Sequence, residues 1–303
     1  MVEKNYIQKQ GKVGHCSVEA TAHYSIDWAQ NVWIPHHDQQ PSQDYHKTRY
    51  KVHLAGVHNE ATKEQINYVI GENEFLNKGP NGTLSLVLNG IKQFNRGEKC
   101  LKVNCDNSAG QNKNKVSLWF YSWLVIKGYY ETIEQNFMLA RHSKSQVDSG
   151  FGMIKRRYKK STVLSKEQFV EVVKKSSPAG LNKAQCYEDG KGFEYYEIRE
   201  SLEPYFIKLP KIGKYHHFLV ESSNLGVVKI KEFADSPWIE FNLLKTEGKK
   251  REETIEEIRN LMFTISKPKH LSLERQEYLY KEIRPLLPEE FRNIVCPIQK
   301  FSG

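Results

Sequence analysis

Hydrophobic and polar positions alternate with a period of two along much of the first third of the chain. From His23 to Ile34, the residues Tyr24, Ile26, Trp28, Val32 and Ile34 fall on one side, the pattern of a strand with one buried face. Pro35 and the polar run Gln39-Gln40-Pro41-Ser42 close it as a loop. Tyr50 to His58 reads as a second strand through Val52, Leu54 and Val57, and Gln65 to Ile70 as a third through Ile66, Tyr68 and Ile70. The short connections predict an antiparallel meander.

The period then lengthens. Leu84, Val87, Leu88 and Ile91 stand at i, i+3, i+4 and i+7, with Pro80 before them and Gly97 after, as in an amphipathic helix. Lys99 to Asp106 returns to strand alternation, with Leu101, Val103 and Cys105 opposed to Lys102, Asn104 and Asp106. A second helix carries Val116, Trp119, Phe120, Trp123 and Leu124 on one stripe and stops at Gly128; that spacing makes the aromatics core. Ile133 to Leu139 is a fifth strand, and a third helix from near Ser145 spaces Val147, Phe151, Ile154 and Tyr158 along one face. The order β-β-β-α-β-α-β-α predicts an α/β fold, a mixed five-stranded sheet in which the meander is followed by right-handed crossovers.

After a further helix near Lys166 to Lys175 the pattern changes. Short strand-like pieces (Tyr205 to Leu209, Tyr215 to Val220, Val227 to Lys231, Trp238 to Leu244) are punctuated by Gly213, Asn224-Leu225-Gly226 and Ser236-Pro237. A charged segment, Lys249 to Glu257, and a helix near Ser272 to Arg284 follow. The expected division is a domain over 18–175 and a smaller β-rich module with a helical tail over 176–303.

Composition narrows the partners. The 303 residues carry a formal net charge of +9, which favours polyanions, nucleic acid first. No run approaches the ~18 apolar residues of a membrane span, so no membrane role is expected. The cysteines Cys16, Cys100, Cys105, Cys186 and Cys296 are scattered and odd in number, which argues for a reducing, intracellular setting and against a zinc ribbon or disulfide framework.

Three acids stand out. Asp27 lies mid-strand between Ile26 and Trp28, where a carboxylate is disfavoured unless it faces water or binds something positive. Asp106 ends the fourth strand, and ligands of open α/β sheets collect at carboxyl ends of strands. Its ordinary alternative is a local turn with Asn107. Asp148 sits three residues after Ser145, a spacing that also suits a helix cap. Brought together, such carboxylates suit two hard divalent cations, Mg²⁺ or Mn²⁺, which act on phosphodiesters.

The run Asp106-Asn107-Ser108-Ala109-Gly110-Gln111-Asn112-Lys113-Asn114, then His142-Ser143-Lys144, Asp148, Phe151-Gly152 and Lys155, resembles the signature of transposon-derived, ribonuclease H-like transposase or integrase domains. Tyr24-Ser25-Ile26-Asp27-Trp28 is similar to the first strand of that family, and the likeness spans roughly residues 18–175. The resemblance implies a nuclease or strand-transfer enzyme with an acidic triad at Asp27, Asp106 and Asp148, acting on DNA more than RNA, in the nucleus. Beside that triad, His142 is read as a proton-transfer group and Lys144 as a phosphate contact, with Gln111, Asn112, Lys113, Lys155 and Arg156 as nucleic-acid contacts. Mobile-element enzymes of this kind carry a separate DNA-reading domain upstream, and the chain starts close to the catalytic domain. A domesticated, non-catalytic nucleic-acid-binding protein is therefore the competing expectation.

Overall fold

The computed structural model describes residues 21–39, 46–137, 145–246 and 248–297. Twelve strands are named in chain order: β1 (Thr21–Trp28), β2 (Val32–Ile34), β3 (Tyr50–Asn59), β4 (Gln65–Gly71), β5 (Cys100–Cys105), β6 (Thr132–Phe137), β7 (Asn182–Cys186), β8 (Tyr195–Tyr196), β9 (His217–Glu221), β10 (Val227–Lys231), β11 (Ile239–Asn242) and β12 (Ile265–Ser266). The α-helices are α1 (Pro80–Phe94), α2 (Lys115–Ile126), α3 (Gln146–Tyr158), α4 (Lys166–Lys174), α5 (Ile198–Leu202), α6 (Arg251–Asn260), α7 (Leu273–Tyr278) and α8 (Glu289–Val295). None of the described helices is long and apolar enough to cross a membrane.

The fold is α/β around a mixed sheet. Its central order is β6-β5-β1-β3-β4, with β1, β5 and β6 mutually parallel and β3 antiparallel to both β1 and β4. That is the arrangement expected of a meander whose later strands are added on the β1 side. Tyr24, Ile26 and Trp28 face one core with Leu84, Val87 and Ile91 of α1 and Trp119, Phe120 and Trp123 of α2. The opposite face meets α3 and α4 through Val147, Phe151, Ile154, Phe169 and Val173. Burial of each large apolar side chain there contributes ~1.5–3 kcal/mol, so α3 is fixed chiefly by its packed stripe.

The first predicted strand is broken by a bulge. Trp28 pairs with Ala55 and Val32 with Val52, so four steps along one strand oppose three on β3. One extra residue turns every later side chain to the other face. Val32 and Ile34 accordingly join the α3 core and do not share a face with Tyr24, Ile26 and Trp28.

Residues beyond 176 do not build a module of their own, which corrects the expected division. Strand β7 adds in parallel to β4, and β9, β10 and β11 extend the sheet from β6, all antiparallel, into one ten-stranded sheet. Phe218, Val220, Val228 and Ile230 then share the core of α1 and α2, and Leu279, Ile283 and Leu287 close the core of α3. The physical reason is edge pairing: β6 and β4 would otherwise expose unpaired backbone groups. Tyr205 to Leu209 is not a strand; Phe206 makes only an isolated bridge to Leu244. The tail helix is anchored by Arg275, whose guanidinium meets Glu72 at 2.8 Å and donates to the carbonyls of Thr48 and Arg49. Cys100, Cys105, Cys186 and Cys296 are all free.

Candidate acidic site at the strand ends

Asp27 and Asp106 are neighbours across the parallel β1–β5 ladder. The last registered pair is Ile26 with Cys105, so Asp27 and Asp106 stand on the following rung, on strands ~4.8 Å apart and on the same face. Two carboxylates meet there because both strands alternate in phase: their even apolar partners on β1 and odd ones on β5 point into the α1–α2 core.

Asp148, on the first turn of α3, lies near enough to act on Asp27. Gly56 lies opposite Asp27 on β3, and a Cβ at that position would stand 2.7 Å from Val147 Cγ2 and 2.8 Å from Phe151 Cζ. The absent side chain lets the first turn of α3 rest on the sheet beside Asp27. Glycine inside a strand often marks such a close approach, and Gly56 between Ala55 and Val57 is that signal in the sequence.

Each carboxylate is held by one oxygen. Asp27 Oδ1 accepts from the Trp28 backbone N–H at 2.7 Å. Asp106 Oδ1 accepts from Asn112 Nδ2 at 2.7 Å and from the Ser108 N–H at 3.3 Å. Asp148 Oδ2 accepts from the Ser145 N–H at 3.0 Å, the cap interaction that its spacing predicted. Asp27 Oδ2, Asp106 Oδ2 and Asp148 Oδ1 receive no hydrogen bond among the described residues.

Asp106 and Asp148 both act on Asp27. Burial raises the pKa of Asp27 to about 6; the Trp28 N–H opposes this, Asp106 and Asp148 add to it, and Lys78 lowers it. A half-buried carboxyl flanked by two more, with free oxygens, is the donor chemistry of a hard divalent cation. Among the described residues, however, no three His, Cys, Asp or Glu side chains stand in the arrangement that encloses one ion. A cation here would therefore take at most two of these carboxylates at once and fill the rest of its shell with water.

Asn112 and Lys113 depart from expectation. Both are buried, at 3% and 5% exposure, and neither presents its polar end to a nucleic-acid backbone. Asn112 orients Asp106, while Lys113 Nζ donates to Asn107 Oδ1 at 3.1 Å and lies 5.3 Å from the Phe137 ring centroid. Burial lowers the Lys113 pKa. The loop turns them inward because Ser108 O accepts from the N–H groups of both, at 2.8 and 2.9 Å. Gln111 is half-buried beside them, and Asn114 caps α2 by accepting from the N–H groups of Val116 and Ser117.

Lys155 and Arg156 are exposed on α3, and Lys155 Nζ donates to Gln30 Oε1 in the bulge at 2.9 Å. That contact brings a cation to the end of β1. His142 and Lys144 lie outside the described residues. Lys78, not singled out above, lies on the rim of the site: its Nζ is 5.2 Å from the Trp28 ring centroid, and Asp27 raises a pKa that burial lowers. A single lysine in an Asn-Lys-Gly-Pro turn carries no sequence signal for this.

Among solved structures, one reported as the crystal structure of NurA is similar at 10% identity and a TM-score of 0.17, covering 94% of this chain. This chain spans only 62% of the length of that one, and the likeness is too slight to carry an argument. No curated protein matches. A family model described as a domain of unknown function, DUF7869, matches residues 42–236, a stretch that includes Asp106, Asp148 and most of the central sheet. That span is well over half of the 303 residues, and the chain belongs to the DUF7869 family.

Proposed function

We propose that the chain is a divalent-metal-dependent enzyme that cleaves or transfers phosphodiesters of nucleic acid, DNA more than RNA, on a ribonuclease H-like framework. The reading is supported by the strand order β6-β5-β1-β3-β4 with β3 alone antiparallel, and by a basic net charge of +9. The observation that carries it is the adjacency of Asp27 and Asp106 at the end of the β1–β5 ladder, with Asp148 near enough to act on Asp27.

In this reading the three carboxylates would hold Mg²⁺ or Mn²⁺, two of them to an ion. When bound, the cations would polarise the attacking oxygen and offset charge on the leaving one. The protein supplies the rest. Asn112 fixes the direction of Asp106, the Trp28 N–H fixes Asp27, and the Ser145 cap fixes Asp148. Lys78, Lys155 and Arg156 draw the phosphate backbone toward the strand ends. A water or a 3′-hydroxyl attacks phosphorus in line while the opposite ester bond breaks and its oxygen leaves with the electron pair.

The test is incubation of the purified chain with labelled DNA in Mn²⁺ or in EDTA, beside Asp106→Asn. Cleavage that needs the metal and disappears in the variant supports the enzyme. A second reading, a non-catalytic nucleic-acid binder, is favoured by one observation: Asp148 is engaged as an ordinary helix cap. Salt-sensitive binding without cleavage would select it.

A further inference from the structure

The sheet end that carries Asp27 and Asp106 continues past them. There β6 stops, β9 begins and β10 turns into β11: the Phe137 N–H donates to His216 O at 2.9 Å, and the His216 N–H to Lys231 O at 3.1 Å. The connection from β10 to β11 holds two bare rings, Phe233 at 50% and Trp238 at 38% exposure. Each is backed by another side chain. Lys231 Nζ lies 4.6 Å from the Trp238 ring centroid, and the His216 ring stacks on Phe233 at 6.2 Å with 16° between planes. Lys208, Lys211 and Lys214 are exposed on the segment entering β9. Of these, Lys214 pairs with Glu232 at 3.2 Å.

Exposed rings, one stacked on an imidazole and one beside a lysine, have the make-up of a nucleobase stacking platform, in which rings take bases and lysines follow the backbone. The position agrees. From β5 to β10 is three strand steps, about 14 Å at ~4.8 Å each, a distance that a few nucleotides span. We infer that Phe233 and Trp238 stack the bases of a single-stranded segment of the nucleic acid, whose backbone then crosses β9 and β6 to the acidic site. This rests on the function proposed above.

The test uses the full chain and a fluorescein-labelled oligothymidylate of about 12 nucleotides, read by anisotropy in EDTA so that nothing is cut. Replacing both rings (Phe233→Ala with Trp238→Ala) is expected to weaken binding about tenfold or more. Phe233→Tyr with Trp238→Phe keeps two flat faces and is expected to bind like the parent. Cleavage in Mn²⁺ is expected to show the loss as a KM raised about tenfold, since neither ring touches the carboxylates. If the alanine pair binds as tightly as the parent, the platform is overturned, and retained cleavage leaves the proposed function standing. A parent that neither binds nor cuts removes both. If the alanine pair instead loses only self-association, seen by sedimentation, the rings join two copies of the chain and the inference fails.

Discussion

Asp27 and Asp106 share the rung that follows Ile26 and Cys105 in the parallel β1–β5 ladder. Strand spacing alone keeps these two residues close, and on the other side of β1 the partner of Asp27 is Gly56. The remaining acid depends on how closely α3 can lie on that glycine.

Gly56→Ala therefore tests placement. Its Cβ would press on Val147 and Phe151 at 2.7 and 2.8 Å, and overpacking of that kind costs ~1–3 kcal/mol. Urea denaturation should show the loss, and Mn²⁺ affinity should fall with it as Asp148 is moved away. Unchanged stability and unchanged affinity would contradict the close approach.

The Asn112 side-chain amide donates to Asp106 Oδ1 at 2.7 Å. Removal of such a supporting partner typically costs 10–100-fold in metal affinity or activity. Asn112→Ala is expected to lie in that range by Mn²⁺ titration, with the far-ultraviolet circular dichroism of the parent. Were Asn112 a phosphate contact instead, DNA affinity in EDTA would fall and metal affinity would not.

Asp27 makes metal binding depend on pH. Its pKa is raised to about 6, so the anion that a cation needs is lost as pH falls through about 6. The sign for stability is the reverse of a salt-bridged acid: the folded state holds the proton more tightly, so stability drops as pH rises from about 4 to about 6. Asp27→Asn should therefore raise the metal-free stability at pH 7, by about 1–2 kcal/mol for a half-buried carboxyl partly screened by water, while abolishing Mn²⁺ binding at this site. A destabilised variant in EDTA would show that the charge is not strained.

The buried histidines act in the opposite direction. His23, His53 and His58 are each lowered to about 4, chiefly by burial. Unfolded histidine takes up its proton near pH 6.5, so their contribution is whole above that value and is lost as pH falls toward 4. Three histidines act against two raised carboxyls, Asp27 and Glu60. A melting series in EDTA should show the melting temperature falling from pH 6.5 to pH 4; a flat series would mean that these rings are hydrated.

The central sheet was legible because alternation and helical spacing are local properties. Asp27 and Asp106 could be paired from sequence, since parallel neighbours in phase bring odd β1 and even β5 positions together. Three features were not legible. The bulge after Trp28 depends on how β3 registers, and one extra residue reverses the faces of Val32 and Ile34. Strands β9 to β11 look like a separate module because nothing local tells a strand which edge it will join. Asn112 and Lys113 looked like phosphate contacts because a polar loop before a helix has the same composition whether it faces out or folds inward onto Asp106 and Asn107. His142 and Lys144 lie outside the described residues.

The most direct measurement is the anomalous signal of crystals soaked in Mn²⁺. The account predicts manganese density bound to free carboxylate oxygens of Asp27 and Asp106, with water completing the shell, and its loss in Asp106→Asn. Soaked crystals with strong manganese peaks elsewhere and none on that rung would contradict it.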